Sequence, residues 1–130
     1  EAELKYLFPN RPLPIFLDES CRYADDIHKW AEHVDGVNIK LMKCGGITEA
    51  LKIIETAKSF SLKTMIGCMS ESSVSIAAAA SISGAIDHID LDSHYNLAPD
   101  PATGVRMSDG ISIQDQVSGH GGVLKEKYYA

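Results

Sequence analysis

The sequence predicts an α/β fold with about four βα units, parallel strands and an irregular carboxy-terminal tail. The first observation is that apolar runs of strand length alternate with helix-length segments. The second is spacing, since equivalent strand positions (Asp18, Lys40, Cys68 and Asp90) recur about every 22 to 28 residues. One strand plus one crossover helix has this length, and such crossovers make neighbouring strands parallel. The third is composition: 130 residues with 45% hydrophobic and 23% charged residues suit one globular unit.

The first two units each combine a predicted strand with a helix. Residues 13–18 form the first apolar run, and residues 37–41 form the second. After the first strand, apolar residues fall at helical spacing at Ala24, Ile27, Ala31 and Val34. The inner face of the second helix is predicted to consist of Ala50, Leu51, Ile54, Ala57 and Phe60. Both helices are therefore expected to pack one face against the sheet.

The third and fourth strands are predicted at residues 64–69 and 88–92. A helix over residues 74–83 lies between them, and Gly84 is expected to end it. Beyond the fourth strand the pattern breaks into Asn, Pro, Asp and Gly, with one short alternating piece at residues 110–113 and no helix signal. The predicted organisation is therefore βα units over residues 1–112 and a tail over residues 113–130.

Four βα units fit either a small doubly wound domain or half of an eight-stranded barrel. No GxGxxG or Walker loop follows any strand, which removes the commonest nucleotide-binding interpretation. A complete (β/α)₈ barrel takes roughly 250 residues, so this chain matches about half of one. Residues 1–12 resemble the end of a helix or loop, and half a barrel would leave two unpaired edge strands. We therefore expect that a preceding half of the barrel is absent from this sequence.

Charge and cysteine usage narrow the classes of partner. The net charge of −6 argues against binding nucleic acid or anionic lipid through phosphates. No run approaches the roughly 18 apolar residues of a membrane span, and no signal-peptide pattern occurs, so a cytoplasmic location is expected. Three cysteines without a CxxC pair predict free thiols, with neither disulfides nor a structural zinc site.

Charged or polar residues end each of the four predicted strands. The active site of a parallel barrel is built at the carboxyl ends of its strands, so these side chains are candidates for one pocket. Asp90 and Asp92 share one strand face with His88, and two inward carboxylates need a metal or an ammonium ligand between them. Three structural alternatives stay open: residues 18–20 could cap the next helix, Lys40 could lie at the surface, and Asp90 and Asp92 could be solvated turn residues. Lys43 is expected at the surface.

Four segments together resemble a known family: PIFLDES at residues 14–20, NIKLMKCGGI at 38–47, IGCMSE at 66–71 and DLD at 90–92. The sequence is similar to the enolase superfamily, muconate-lactonizing subgroup, and most closely to dipeptide epimerases of the L-Ala-D/L-Glu type. The resemblance covers roughly residues 8–112 and implies the carboxy-terminal half of a modified TIM-type barrel. The lysine motif with its Gly-Gly marks the subgroup, and the Asp-x-Asp points to dipeptides.

The resemblance also implies roles for individual residues. Asp18 would be the third carboxylate ligand of an essential Mg²⁺, and Lys40 would be one of two acid/base lysines. The implied substrate-binding residues are Cys68, Met69, Ser70, Asp90 and Asp92. Of these, the two aspartates would bind the α-ammonium group of the dipeptide, and the other three would act largely through their backbone.

The implied reaction is Mg²⁺-dependent epimerisation through an enediolate, in which a divalent cation takes up the developing charge. A lysine base near neutral pH needs a lowered pKa, which the metal and a second lysine would provide. The remaining metal ligands, the second lysine and the capping domain belong to sequence absent here, so this chain alone is expected to be inactive. Two alternatives stay open: o-succinylbenzoate synthase or cycloisomerase activity, and a non-catalytic α/β binding module. A homo-oligomer also stays open.

Overall fold

Four parallel strands form the central sheet of the computed structural model, which describes residues 2–114 and 118–129. They are β1 (Phe16–Leu17), β2 (Gly36–Ile39), β3 (Lys63–Ile66) and β4 (His88–Ile89). Their order in the sheet is β1-β2-β3-β4, and each neighbouring pair is parallel. All four carboxyl ends therefore meet at one edge. This confirms the predicted βα repeat, and the order without reversal is that of a barrel and not of a doubly wound sheet.

Five α-helices accompany the sheet in the residues that the structure describes. They are α1 (Ala2–Leu7), α2 (Ala24–Trp30), α3 (Leu41–Cys44), α4 (Ile47–Ser59) and α5 (Ser73–Ala80). Short 3₁₀ turns occupy Phe8–Asn10, Ala31–His33, Ser83–Ala85, Ser93–Asn96 and Glu126–Tyr128. In the described part of the chain, no helix is both long and apolar enough to span a membrane.

The Gly45-Gly46 pair separates α3 from α4. Gly45 has a φ of 82° and closes α3 in the left-handed conformation, and Gly46 has a φ of 133°. A Cβ at either position would meet nothing within 4 Å. The requirement for glycine is therefore one of backbone conformation and not of space. This turn lets α4 start directly after the short helix that follows β2.

The hydrophobic core lies between the sheet and α2, α4 and α5. Its fully buried aliphatic side chains are Ile27, Val37, Ile39, Ile53, Ile66 and Ile76. The predicted inner face of α4 is partly wrong, because Leu51 and Phe60 are exposed and Ile53 is buried. Buried positions 50, 53, 54 and 57 follow helical spacing; Leu51 lies off that face. Phe60 follows the end of α4 and contacts His28 edge-on.

Several predicted element boundaries were wrong. The strands end before the charged residues, since the last sheet hydrogen bonds run from Gly67 N to Ile39 O and from Asp90 N to Ile66 O. The helix predicted to residue 83 ends at Ala80, and Gly84 lies in the 3₁₀ turn that follows.

The chain beyond β4 contains more regular structure than expected. Strands β5 (Ala102–Thr103) and β8 (Val123–Leu124) pair antiparallel, and β6 (Val105–Ser108) pairs with β7 (Ile111–Gln114) in a hairpin. Asp109 and Gly110 turn this hairpin with φ values of 51° and 79°. Asp-Gly is a preferred sequence where both central residues of a turn need positive φ. The dipeptide Asp109-Gly110 therefore indicates this hairpin, which was not predicted. The division between residues 1–112 and 113–130 stays a prediction.

Candidate active site

Asp18 and Lys40 meet at the carboxyl edge of the sheet. Each follows its strand directly, and the parallel register, with Leu17 opposite Val37, continues to Asn38 opposite Asp18, so that Lys40 lies two residues further along on the same strand face. The Lys40 Nζ lies 2.9 Å from Asp18 Oδ2, and the Lys40 side chain is only 12% exposed. The two residues assigned to metal binding and to proton transfer therefore form one ion pair.

Lys43 occupies the same cluster, although the sequence predicted it at the surface. Its side chain is 5% exposed. The Nζ donates hydrogen bonds to Asp18 Oδ1 at 2.6 Å, to Asp18 O at 2.5 Å and to Asn38 O at 2.9 Å. The physical reason for the error is α3, which begins immediately after Lys40 and turns the side chain of Lys43 back over the ends of β1 and β2.

Asn38 is the fourth polar residue of this cluster and was not among the predicted site residues. It is buried in β2, and its Nδ2 donates to Asp18 Oδ2 at 3.1 Å. A Cβ on Gly67 would lie 2.8 Å from Asn38 Oδ1, so the glycine leaves room for the amide. The sequence does contain an indication of this role. Asn38 is a polar residue within an apolar strand, and it lies two residues before Lys40, so both side chains are on the same strand face.

Charges in the cluster stabilise one another. Burial by itself would raise the pKa of Asp18, but the hydrogen bonds from Lys43 and Lys40 outweigh it, and the pKa lies below its ordinary value. The hydrogen bond to Asp18 raises the pKa of Lys40, against the effect of burial. The described residues of this chain therefore favour a protonated Lys40, the opposite of the lowering expected for a general base.

The loop after β3 carries the three predicted substrate residues. Cys68 is half-buried, and its Sγ donates to Asp90 O at 3.4 Å, which joins the ends of β3 and β4. Met69 and Ser70 are exposed. Glu71 holds the loop, because its buried carboxylate accepts hydrogen bonds from Met69 N at 2.7 Å and from the Ser75 hydroxyl. The positioning role of Glu71 was not predicted.

Asp90 and Asp92 follow β4 and are exposed. Together with Ile89 and Leu91 they line a cavity of about 360 Å³, closed on other sides by α5 and the β6–β7 hairpin. The strand predicted over residues 88–92 is wrong in length: β4 ends at Ile89, whose side chain is exposed, and Asp92 already has a helical backbone (φ −114°, ψ −8°). Neither Asp18 nor Lys40 lines this cavity. Cys68 joins this cavity to the end of β3 through its hydrogen bond to the Asp90 backbone carbonyl.

A magnesium ion would find one suitable donor in this cluster. Carboxylate oxygen is the ligand type that Mg²⁺ prefers, and Asp18 is partly accessible, with 31% of its side chain exposed. Within residues 2–114 and 118–129, no group of three or more His, Cys, Asp and Glu residues could hold a metal ion. Asp18 therefore fits as a single ligand, and further ligands would have to come from outside the described residues.

The sequentially ordered parallel strands and the charged residues at their carboxyl ends define part of an α/β-barrel enzyme fold. Residues 2–127 match the Enolase C-terminal domain-like family, and the chain belongs to this family. The predicted enolase-superfamily resemblance is thereby confirmed, and the alternative of a small doubly wound domain is wrong.

Two curated relatives are described as hydrophobic dipeptide epimerases. One, from Flavobacteria bacterium (strain MS024-2A), is 66% identical over 130 residues, which is 100% of this chain and 37% of the relative. The other, from Roseobacter litoralis, is 63% identical over 124 residues, which is 95% of this chain and 36% of the relative. The chain thus spans little more than a third of the length of the relatives it matches.

Solved structures show the same fold. The L-Ala-D/L-Glu epimerase from Bacillus subtilis, a substrate-liganded complex, superposes with a TM-score of 0.86 at 30% identity, over 95% of this chain and 36% of that chain. The dipeptide epimerase from Enterococcus faecalis V583, complexed with Mg and the dipeptide L-Leu-L-Tyr, has a TM-score of 0.83 at 38% identity, over 93% of this chain and 36% of that one. The predicted fold, the carboxy-terminal part of a barrel, is confirmed.

Proposed function

We propose that this chain forms the carboxy-terminal part of the barrel of a Mg²⁺-dependent dipeptide epimerase. The observation that carries the proposal is the Lys40–Asp18 pair at 2.9 Å, held at the carboxyl ends of two adjacent parallel strands. Asp90 and Asp92 follow the carboxyl end of β4, the outer strand on the other side of the sheet from β1. This arrangement offers a proton carrier, a metal ligand and an ammonium-binding group along a single edge.

Lys40 is proposed to move the α-proton of the dipeptide. Its Nζ is nearly enclosed, so water competes little for the proton that it carries. Asp18 would hold Mg²⁺ together with carboxylates outside this chain, and the bound ion would supply the positive charge that stabilises the enediolate oxygens. A second lysine outside the chain, as the resemblance implies, would act on the opposite face of the same carbon. Proton return there inverts the configuration.

Asp90 and Asp92 are proposed to bind the free α-ammonium group of the dipeptide. Two exposed carboxylates on one cavity wall, with no basic side chain among the residues that line it, favour a cationic ligand. Cys68, Met69 and Ser70 would border the substrate between Lys40 and Asp90. The alternatives of o-succinylbenzoate synthase and cycloisomerase are disfavoured, because their anionic substrates carry no ammonium group.

The substrate class is proposed to be hydrophobic dipeptides. The names of the two relatives above 60% identity support this choice over an acidic second residue. A cytoplasmic location, a homo-oligomer and the inactivity of this chain alone stay predictions.

The test follows epimerisation and α-proton exchange by NMR in deuterated water with Mg²⁺, using the full-length protein and both L-Leu-L-Tyr and L-Ala-L-Glu. Lys40→Ala is expected to lower the rate of epimerisation at least about 100-fold, the usual contribution of a positioned acid or base. Lys52→Ala, which removes an exposed lysine paired with Glu49 on α4, is the matched control and should leave the rate unchanged. Unchanged epimerisation in the Lys40 variant would exclude Lys40 as a proton carrier, because the second lysine alone could exchange the proton on its own face but could not invert the carbon.

Asp90→Asn tests the ammonium contact separately. We expect a higher KM for the free dipeptide and little change for an N-acetylated dipeptide, since acetylation removes the charge that Asp90 would bind. An equal loss for both substrates would mean that Asp90 acts through the shape of the cavity and not through the amine.

A further inference from the structure

We infer that Lys43 is a positioning residue for the metal ligand: it holds the Asp18 carboxylate so that Oδ2 is the oxygen presented to the site. The inference rests on the proposed role of Asp18 in binding Mg²⁺. Among the described residues, the hydrogen bonds of the Lys43 ammonium run to Asp18 and Asn38 and not to the predicted substrate residues, so its effect on the reaction would pass through Asp18.

The geometry of the ammonium group supports this role. An ammonium has three N–H donors, and the three acceptors around Lys43 Nζ lie at 2.5, 2.6 and 2.9 Å. Two of those acceptors belong to Asp18, one on its backbone and one on its side chain. Holding both at once fixes the side-chain torsions of Asp18 relative to the end of β1. The third acceptor, Asn38 O, attaches the same group to β2.

The two oxygens of the Asp18 carboxylate have different partners. Oδ1 is bound by Lys43, which is 5% exposed and also donates to two backbone carbonyls, Asp18 O and Asn38 O. Oδ2 is contacted by Lys40 at 2.9 Å and by Asn38 Nδ2 at 3.1 Å. The ion pairs of Lys40 are with side-chain carboxylates, whereas Lys43 is also tied to the backbone of two strands, so the contact of Lys40 with Oδ2 is the easier one to exchange. Lys43 therefore holds Oδ1 in place, and Oδ2 is the oxygen available to a ligand.

Charge and position act on metal affinity in opposite directions. A positive ammonium beside a metal ligand repels a divalent cation, so removal of the charge alone would tighten Mg²⁺ binding. Loss of orientation of the ligand would weaken it, and partners of this kind contribute about 10- to 100-fold in metal affinity or activity. The sign of the change in affinity therefore separates a positioning residue from one that only neutralises Asp18.

The experiment measures Mg²⁺ affinity by titration calorimetry without substrate, on the full-length protein and its Lys43→Met and Lys43→Arg variants. The matched control is Lys63→Met. Lys63 also joins neighbouring strands through an ion pair, to Asp87 at 2.8 Å, but at the amino ends of β3 and β4, away from the site. Hydrogen exchange of the peptide that contains Asp18 reports the order of the strand end independently of the metal.

For Lys43→Met we expect Mg²⁺ affinity to fall about 10- to 100-fold, with faster exchange around Asp18. The Lys63 control should keep wild-type affinity. Unchanged or tighter Mg²⁺ binding in folded Lys43→Met would overturn the inference. Lys43→Arg keeps the charge but cannot direct three bonds from one nitrogen, so its affinity should also fall. If Lys43→Met does not fold, Lys43→Arg becomes the deciding variant, and a wild-type Mg²⁺ affinity in that variant would overturn the inference.

The outcomes keep the two proposals apart. A protein whose Lys43 variants lose Mg²⁺ affinity, but whose wild type epimerises no dipeptide, would retain the inference and refute the proposed function. A wild type that epimerises dipeptides, with Lys43 variants that bind Mg²⁺ normally, would refute the inference alone.

Discussion

Gly67 is the position where one added methyl group should disturb the candidate site most directly. The residue follows β3 and faces the buried amide of Asn38. An alanine Cβ there would lie 2.8 Å from Asn38 Oδ1 and 3.1 Å from its Nδ2. Both distances are shorter than an ordinary van der Waals contact, so Asn38 has to move. Its Nδ2 is the atom that binds Asp18 Oδ2, and the shift therefore reaches the predicted metal ligand.

The magnitude for Gly67→Ala follows from three contributions. Overpacking at a buried position costs about 1–3 kcal/mol. Loss of the hydrogen bond from Asn38 to a charged acceptor costs about 1.5 kcal/mol. The lower entropy of the unfolded chain offsets about 0.4–1 kcal/mol. We expect the free energy of unfolding to fall by about 1.5–4 kcal/mol, the sum of these effects.

Urea unfolding of the full-length protein provides the assay, and Gly84→Ala provides the control. A Cβ on Gly84 would meet nothing within 4 Å, so the same substitution there should not lower the free energy of unfolding and should raise it by at most about 0.4–1 kcal/mol, the effect on the unfolded chain. Equal stabilities of the Gly67 and Gly84 variants would refute the packing argument. So would a stable Gly67 variant with wild-type Mg²⁺ affinity, because Asn38 would then not support Asp18.

Two further predictions concern buried titratable groups. Burial lowers the pKa of His94, against the charges of Asp100 and Asp92, so the unfolded state binds more protons. The protein is therefore most stable, with respect to His94, above the ordinary histidine pKa, and the free energy of unfolding falls as the pH drops below it. In urea unfolding, His94→Leu should reduce this fall in stability. The control variant His28→Gln should leave it in place. Burial raises the pKa of Cys21 to about 11, and Cys44 is also buried, so Cys68 alone should react with iodoacetamide in the native protein. Early labelling of Cys21 or Cys44 in mass spectra would contradict this accessibility.

Much of the site could be predicted because strand ends are encoded locally. An apolar run followed by a charged residue recurs at Asp18, Lys40 and Asp90, and parallel crossovers bring such ends to one edge. The contact between Asp18 and Lys40 is the direct result. The family resemblance added the roles of metal ligand and proton carrier, which the pattern of residues could not have supplied.

Other features depend on contacts between segments far apart in the sequence. Lys43 has the same local pattern as a surface lysine, and only the turn of α3 over the ends of β1 and β2 encloses it. Leu51 was placed in the core because its apolar side chain lies near the buried face of α4, but that face is set by which residues meet the sheet. The predicted strands are also longer than the observed ones, because the hydrogen bonding of a strand stops where the neighbouring strand ends.

The amino-acid sequence by itself determined the alternation of strands and helices and the charged residues that end each strand. Both features follow from the hydrophobic periodicity of each segment, which does not depend on the rest of the chain. Only the tertiary structure decided which carboxylate oxygen Lys43 holds, how Asn38 fits against Gly67, and that the cavity beside Asp90 is separate from the Asp18 cluster. Such features depend on the distances between side chains on different strands, and those distances exist only once the sheet has assembled.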